Sequence, residues 1–297
     1  MTLLNILIAS DFSKHADWAL QRTISLAKIN QATIHFLHIL TPPLGSIAQS
    51  SEMELQLNHF SEKKEIEEKI LKQLKNNHHK LSVGVSVVLG RAADEVVRYA
   101  DEKSCDLIIV GAHGNYYIND YVLGTTSGSI IRQSCVPVLL IKKEPHFAYE
   151  RILIATDLSN ASKETVRFTF NCFPEANFQL LHIVDIYYRQ FLNPTDFDEK
   201  FLDTQHPKIK TIFEKLDDFL DQCQVDKRKF EKKIIGDYYA DAIVKQASKW
   251  KADLLAFGTQ GKSKLHYLLI GSVAKRILHL SSVDMLAIPP KFNLHNR

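Results

Sequence analysis

One spacing of glycines occurs twice in this chain of 297 residues. The first copy comprises Gly111, Gly114, Gly124 and Thr125. The second copy lies 147 residues further on (111 to 258, 114 to 261, 124 to 271) and comprises Gly258, Gly261, Gly271 and Ser272. Two copies in one register constrain the fold more than a single loop would, because they predict that both halves of the chain are built on the same plan.

Each glycine copy follows a short apolar run, Leu107–Val110 in the first and Leu254–Phe257 in the second. Such a run indicates a buried parallel strand, and the segment after each copy can form a helix. Glycines let backbone N–H groups approach an anion closely, and a helix N-terminus adds partial positive charge. The hydroxyl residue after the third glycine can donate to a phosphate oxygen or can cap the helix.

The rest of the first half alternates between strand and helix patterns. The predicted strands are Asn5–Ser10, Thr33–Leu40, Ser82–Leu89, Leu107–Val110 and Val138–Ile141. Helical patterns separate them, including a long one over Glu52–Asn76, and the second half repeats the cycle. This alternation predicts two tandem doubly wound α/β domains, each with a five-stranded parallel sheet.

The predicted domains cover residues 1–143 and 150–290, and a polar linker, Lys142–Glu150, separates them. The region Tyr187–His206 is the least regular part of the second half. It is expected to form a long surface loop.

The bulk properties narrow the class of protein. The net charge is only +3 and no basic block occurs, so nucleic acid is not an expected partner. No apolar run reaches the ~18 residues of a transmembrane helix, and no membrane association is expected. The four cysteines form no C-x-x-C pair and are expected to be buried thiols of a reducing compartment. A soluble cytoplasmic protein is the default expectation.

At the two glycine loops the chain resembles the universal stress protein family in its tandem two-domain form. Nucleotide-binding members of that family carry the same glycine spacing, and the resemblance extends over nearly the whole chain. It implies a Rossmann-like fold of the adenine nucleotide alpha hydrolase type. It also implies that the two domains pair as an intramolecular pseudo-dimer, much as single-domain members form dimers. A homodimer of the whole chain and protein partners are left open.

The resemblance also implies two nucleotide sites. In members that bind ATP, an aspartate after strand one and an apolar residue near the end of strand two line the adenine and ribose site, while the glycines and the hydroxyl residue hold the phosphates. The first implied site comprises Asp11, Ile39, Gly111, Gly114, Gly124 and Thr125. The second comprises Asp157, Ile183, Gly258, Gly261, Lys262, Gly271 and Ser272. The alternative is that the glycines only make tight turns and the aspartates only cap the first helix of each half.

The two implied sites differ in charge. The second is richer in cationic residues, with Lys262 and Lys264 in the loop and Lys275 and Arg276 on the helix, so it is better suited to phosphates. A Walker A reading of its Gly261-Lys262-Ser263 run fails, because Ala256 stands where a P-loop needs glycine.

One substitution within the duplication concerns packing. In the second half Asp284 replaces the proline that precedes the last strand of the first half, Pro137. This exchange brings the packing of the second half's last strand into question.

No catalytic constellation is visible, since no Ser–His–acid set and no paired carboxylates are supported by the spacing. His38 and His182 recur at the end of strand two, which indicates a packing or hydrogen-bonding role. No structural metal is predicted, although magnesium can accompany ATP. We favour binding of an adenine nucleotide (ATP, ADP or AMP) as a regulatory ligand in a stress response, ahead of a scaffold of the same fold that lacks nucleotide. A slow ATPase or phosphotransferase is a third hypothesis.

Overall fold

The computed structural model describes residues 3–41, 63–68, 70–72, 81–114, 124–184, 207–261, 270–290 and 292. The chain divides into two compact units, Thr2–Pro145 and His146–Arg297. The division falls inside the polar segment Lys142–Glu150. Within the described part of the chain, no helix has the length and apolar character that a membrane span requires.

The first unit alternates strands and helices. Its elements are β1 (Asn5–Ser10), α1 (Lys14–Asn30), β2 (Thr33–Leu40), β3 (Val83–Leu89), α2 (Ala92–Glu102), β4 (Leu107–Gly111), α3 (Thr125–Gln133) and β5 (Val138–Ile141). Between β2 and β3, residues 63–68 and 70–72 are helical. The remainder of the helix predicted over Glu52–Asn76 lies outside the described residues.

The second unit repeats the alternation. Its elements are β6 (Arg151–Thr156), α4 (Asn160–Cys172), β7 (Asn177–Val184), α5 (Pro207–Cys223), β8 (Phe230–Gly236), α6 (Tyr239–Lys249), β9 (Leu254–Gly258), α7 (Ser272–Leu280) and β10 (Asp284–Ile288). The loop predicted over Tyr187–His206 lies outside the described residues. Helix α5 begins at Pro207, where a missing N–H costs nothing because the first amides of a helix have no intrahelical acceptor.

Each unit contains a five-stranded sheet in which all neighbouring strands are parallel. The order is β3-β2-β1-β4-β5 in the first unit and β8-β7-β6-β9-β10 in the second. The predicted doubly wound fold is therefore confirmed in both halves. The strand order reverses between β1 and β4, and again between β6 and β9. In such sheets ligands bind at the carboxyl ends of the strands beside this reversal.

The central strands explain why the sequence shows continuous apolar runs rather than alternation. Ile6, Leu7 and Ile8 of β1 are fully buried, as are Leu107 and Ile108 of β4. A strand that is covered by helices on both faces needs apolar side chains at every position. Burial of these apolar runs holds β1 and β4 in the centre of the sheet, and the candidate site lies at the carboxyl ends of these two strands.

The expectation of four buried thiols is wrong at one position. Cys105, Cys172 and Cys223 are buried, but Cys135 is exposed because it lies in the turn between α3 and β5. Burial raises the pKa of the Cys223 thiol to about 12, so this side chain stays protonated and unreactive at neutral pH.

Asp284, the residue that replaces the proline before the last strand, is accommodated by a specific hydrogen bond. Its side chain is only 2% exposed, and its Oδ2 accepts a hydrogen bond from the Tyr149 hydroxyl at 2.6 Å. β10 pairs with β9 over all five of its residues. The buried carboxylate is thus part of the packed core of the second unit.

Candidate functional site

The turn that follows β1 is shaped by two side chains. Oδ1 of Asp11 accepts a hydrogen bond from the backbone N–H of Ser13 at 3.0 Å. Ser13 is the N-cap of α1, and its hydroxyl oxygen accepts from the Ala16 N–H at 3.2 Å. The serine therefore caps the helix, and the aspartate braces the turn that leads into it. The interpretation of Asp11 as a helix cap is wrong in this respect.

The turn after β6 has the same design with one addition. Oδ1 of Asp157 accepts from the Ser159 N–H at 3.0 Å, and Ser159 is the N-cap of α4. The Ser162 hydroxyl donates to the same carboxylate oxygen at 2.7 Å. The equivalent position in the first unit is Ala16, which has no hydroxyl. The turn after β6 therefore supplies Asp157 with two hydrogen-bond donors, Ser159 and Ser162, whereas Ser13 is the corresponding donor to Asp11 in the turn after β1.

The residue after each aspartate has a left-handed backbone. Phe12 has φ 59° and Leu158 has φ 62°, values that bulky side chains rarely adopt. The hydroxyl at the end of the preceding strand stabilises each turn, because Ser10 Oγ accepts from the Phe12 N–H at 3.1 Å and Thr156 Oγ1 accepts from the Leu158 N–H at 3.0 Å. Each aspartate directly follows its strand, so both lie at the carboxyl edge of the sheet.

The second glycine of each loop lies against the aspartate carboxylate. A β-carbon built on Gly114 would stand 2.5 Å from Oδ2 of Asp11. A β-carbon built on Gly261 would stand 3.0 Å from Oδ2 of Asp157. The structure therefore brings together the aspartate and the loop glycine of each half, which are about a hundred residues apart in sequence.

The first glycine of the first loop serves the packing of α1. A β-carbon on Gly111 would lie 2.7 Å from the backbone carbonyl carbon of His15. The matching position in the second unit is less crowded, since a β-carbon on Gly258 would lie 3.2 Å from the Gln260 oxygen. Gly111 thus lets the first turn of α1 approach the end of β4, next to the site.

The third glycine of each loop begins a helix. Gly124 is the N-cap of α3 and Gly271 is the N-cap of α7. Their amides donate to the Ala112 and Thr259 carbonyls at 3.0 and 2.8 Å, which ties each helix start to the first part of its own loop. A glycine cap offers no side-chain acceptor to the amides of the first helical turn, so those amides can donate hydrogen bonds to a bound anion instead.

The hydroxyl residues occupy the first helical position rather than the cap. Thr125 and Ser272 are the first residues of α3 and α7, and both are exposed. The alternative in which they cap these helices is therefore wrong. Their hydroxyls stand at the N-termini, where a bound anion would lie.

The predicted apolar residues lie at the same edge. Ser10 pairs with His38 in the sheet and Thr156 pairs with His182, so Ile39 and Ile183 come one residue later, level with the aspartate turns. Ile183 is only 4% exposed, whereas Ile39 is partly exposed. Lys262 and Lys264 lie outside the described residues.

The recurring histidines have the hydrogen-bonding role that the sequence indicated. His38 Nδ1 lies 2.8 Å from the Ser10 carbonyl oxygen and His182 Nδ1 lies 2.9 Å from the Thr156 carbonyl oxygen. A carbonyl can only accept, so Nδ1 carries the proton in both rings. Each histidine thereby ties the end of the second strand of its unit to the turn that holds the aspartate.

One of the cationic residues predicted near the second site forms an ion pair with a residue outside the site. Arg276 Nη2 lies 3.0 Å from a carboxylate oxygen of Asp241, whereas Lys275 is exposed. In the first unit, Arg91 pairs with Asp94 at 3.6 Å. The described residues contain no cluster of three or more histidine, cysteine, aspartate or glutamate side chains that could hold a metal ion.

Comparison with known proteins places this duplicated arrangement in a family. The universal stress protein family model matches the chain twice, over residues 3–142 and 148–289. The chain belongs to the universal stress protein family. The two matches span most of the chain, and the loops that carry the doubled glycines fall inside them.

Two single-domain relatives match about half of this universal stress protein. Universal stress protein MJ0577 of Methanocaldococcus jannaschii is 26% identical over 155 residues, which are 47% of this chain and 94% of the relative. Universal stress protein YxiE of Bacillus subtilis is 28% identical over 144 residues, 46% of this chain and 97% of the relative.

One solved structure matches nearly the full length of the chain. The protein PA1789 of Pseudomonas aeruginosa, described as functionally unknown, has a TM-score of 0.67 at 16% identity and covers 97% of this chain and 93% of its own. At this identity the likeness shows the fold of the universal stress protein and carries nothing about its ligand.

Sequence reasoning missed two features of the site. One is Ser162, whose hydroxyl holds Asp157 in the second unit only. The other is the left-handed pair Phe12 and Leu158. The alignment of the two halves carried a signal for the first, because Ser162 stands at the position of Ala16. Nothing in the sequence indicated the left-handed backbone, since bulky residues rarely adopt it.

Proposed function

We propose that this universal stress protein binds an adenine nucleotide, ATP in the first instance, at the carboxyl edge of the sheet in each unit. The observation that carries the proposal is the convergence of an aspartate carboxylate with two parts of a glycine loop that lie about a hundred residues further along the chain. In the first unit these are the Asp11 carboxylate, the Gly114 backbone and the N-terminus of α3 at Gly124. The second unit repeats the set with Asp157, Gly261 and Gly271.

The parts of the site suit the parts of a nucleotide. A carboxylate oxygen accepts hydrogen bonds from ribose hydroxyls, and glycines leave backbone close to the ligand. The glycine-capped helices present backbone N–H groups and the positive end of the helix dipole to phosphates. Thr125 and Ser272 add a hydroxyl donor at each helix start, and Ile39 and Ile183 add apolar surface beside the aspartates.

The nucleotide would act as a regulatory ligand. A ligand shifts a population of conformations or assemblies only by binding one of them more tightly, so the proposal requires that the ATP-bound chain differ from the empty chain in partner binding or stability. Magnesium would accompany ATP through the phosphate oxygens. We propose no resident metal held by side chains.

Calorimetric titration of the nucleotide-stripped protein with magnesium and ATP tests the proposal. We expect two sites per chain in the wild type and one site in either Gly114→Val or Gly261→Val. Gly84→Ala is the control. Gly84 lies in β3, away from the loops, and a β-carbon there would meet its nearest neighbour only at 3.9 Å. Saturation at a hundredfold excess over the dissociation constant should add about 2.7 kcal/mol of stability.

The titration and a separate phosphate-release assay distinguish the alternatives. A chain that binds no adenine nucleotide at about millimolar concentration contradicts the proposal and leaves a scaffold of the same fold as the better reading. Phosphate release above background that disappears in Gly261→Val would add hydrolysis to the binding function.

A further inference from the structure

The second unit contains a cavity that the proposed nucleotide site does not use. Its volume is about 430 Å³, within the range of small-molecule sites. It lies between α4 and α5, beside the end of β7. The residues that line it are Leu158, Lys163, His182, Ile212, Lys215, Asp218, Phe219 and Gln222.

This cavity is separate from the nucleotide residues. Successive side chains of a strand point to opposite faces of the sheet, so His182 and Ile183 of β7 face different sides. His182 lines the cavity, whereas Ile183, a residue of the proposed nucleotide site, does not line it. Leu158 is the neighbour of Asp157, but its left-handed backbone directs it to the cavity wall.

The first unit shows what the corresponding space can hold. Phe12 occupies the position of Leu158, and the two turns have nearly the same φ, 59° and 62°. The Phe12 ring covers His38, with the two ring centroids 4.5 Å apart. In the second unit the smaller Leu158 leaves space beside His182, the counterpart of His38. The first unit therefore shows that an aromatic ring can lie against the histidine at this position, and the cavity has room for one beside His182.

The charges of the cavity also differ from those of the first unit. Lys163 lines the cavity, whereas the equivalent residue on α1 is Asp17. Lys215 is a second lining cation, and among the described residues that line the cavity Asp218 is the one carboxylate. Two ammonium groups against one carboxylate, beside apolar Ile212 and Phe219, favour a ligand that has an apolar body and a negative charge.

The wall between α4 and α5 is held by Arg167. Its Nη2 donates to the Gln222 carbonyl at 2.6 Å and its Nε donates to the Cys223 carbonyl at 3.3 Å. Nη1 of the same residue binds Glu164 at 2.7 Å. These contacts cap the end of α5 and fix it against α4, so the cavity does not need to be assembled when a ligand arrives.

We propose that this cavity binds a small aromatic carboxylate, with its ring beside His182 and Phe219 and its carboxylate against Lys163 and Lys215. The proposal does not depend on nucleotide binding. The ligand would touch Leu158, whose backbone carries Asp157, so an occupied cavity would adjoin the nucleotide site without sharing a residue with it.

The test uses benzoate as the probe and its uncharged analogue benzamide as the matched control. Binding to the full chain is followed by ligand-observed NMR at probe concentrations up to about 10 mM. We expect benzoate to bind at least about fivefold more tightly than benzamide, the difference that one partly exposed charge contact can supply. Equal affinities, or no benzoate binding in this range, would overturn the proposal.

Two substitutions that introduce the residues of the first unit test whether benzoate binds in this cavity. Leu158→Phe should place a ring against His182, as Phe12 lies against His38, and so block the position of the benzoate ring. The larger side chain should be tolerated because Phe12 has nearly the same backbone. Lys163→Asp should weaken binding about fivefold or more, whereas Lys210→Asp, an exposed lysine of α5 outside the lining, should not. Thermal unfolding checks that each variant is folded.

Three results would contradict the assignment. They are benzoate binding that survives Leu158→Phe, equal effects of Lys163→Asp and Lys210→Asp, and stoichiometric displacement of benzoate by ATP. The last would place the probe in the glycine loop. Failure of ATP to bind in the separate titration would leave the cavity proposal untouched.

Discussion

Oδ2 of Asp11 lies 2.5 Å from the place that a β-carbon would take on Gly114. The glycine is therefore needed for the carboxylate to keep its position, since the rest of Asp11 is fixed by the hydrogen bond of Oδ1 to Ser13. An alanine at 114 could be accommodated only by rotation of the aspartate side chain.

This contact predicts that Gly114→Ala lowers the ATP affinity of the first site by displacing Asp11. We expect a loss of about tenfold, the equivalent of one hydrogen bond to a charged group. In an Asp11→Ala background the same glycine substitution should have little further effect, because the displaced group is already absent. Titration of the four proteins of this double-mutant cycle measures the coupling, and additive losses would show that Gly114 contacts the nucleotide by itself.

A second prediction concerns Gly111, whose role is packing. Gly111→Ala should destabilise the first unit by about 1–3 kcal/mol, because the added carbon would overlap the backbone of His15 at 2.7 Å. Gly258→Ala should cost less, since its nearest contact is at 3.2 Å. Urea unfolding of the two variants measures the difference. Equal losses would mean that the first turn of α1 shifts easily away from β4.

These glycines show which features of the fold and the site could be predicted from the sequence. The doubled spacing predicted a strand, a loop and a helix start, and the two parallel sheets followed from the alternation of apolar runs. Spacing cannot tell whether a glycine makes room for a ligand or for the protein's own backbone. Gly111 makes room for α1, whereas Gly114 makes room for the Asp11 carboxylate. Both contacts join segments about a hundred residues apart, which no local pattern encodes.

The same limit explains the caps and the cavity. The sequence offered Thr125 as a cap or a phosphate donor, and only the backbone showed that Gly124 is the N-cap of α3. The exchange of Phe12 for Leu158 looks conservative in sequence. Its consequence appears only when α5 packs beside α4 and leaves the space open.

A third prediction concerns His35, whose pKa is lowered mainly by burial and also by the charge of Lys103. Its folded pKa lies below the unfolded value of 6.5, so the unfolded chain takes up the proton first as the pH falls. Above pH 6.5, His35 is neutral in both states and causes no loss of stability. As the pH drops below 6.5, the free energy of unfolding falls progressively, because the unfolded chain binds the proton more tightly.

His35→Gln should therefore reduce the loss of stability between neutral and mildly acidic pH. Denaturant titrations at several pH values, with Trp18 as a reporter in the first unit, measure the slope. His279→Gln is the control, because this exposed histidine lies in the second unit. An unchanged slope in His35→Gln would show that other groups cause the acid sensitivity.

A fourth prediction concerns the hydroxyl of Tyr149 and the buried carboxylate of Asp284, 2.6 Å apart. Tyr149→Phe removes a donor from a carboxylate that is only 2% exposed, and we expect it to destabilise the second unit by about 1–3 kcal/mol. Tyr99→Phe in the first unit is the control, since its hydroxyl bonds the neutral, part-buried Ser86 hydroxyl at 3.0 Å and should cost about 1 kcal/mol or less.

Asp284→Asn in the Tyr149→Phe background separates charge from packing. If the cost of Tyr149→Phe comes from poorer solvation of a buried charge, the neutral amide should recover part of the lost stability. Urea unfolding followed through Trp250, which reports on the second unit, measures the recovery. A Tyr149→Phe loss no larger than that of Tyr99→Phe would mean that other groups already satisfy the Asp284 carboxylate. The tyrosine would then contribute through the packing of its ring, which lies edge-on to Phe173 with the ring centroids 5.4 Å apart.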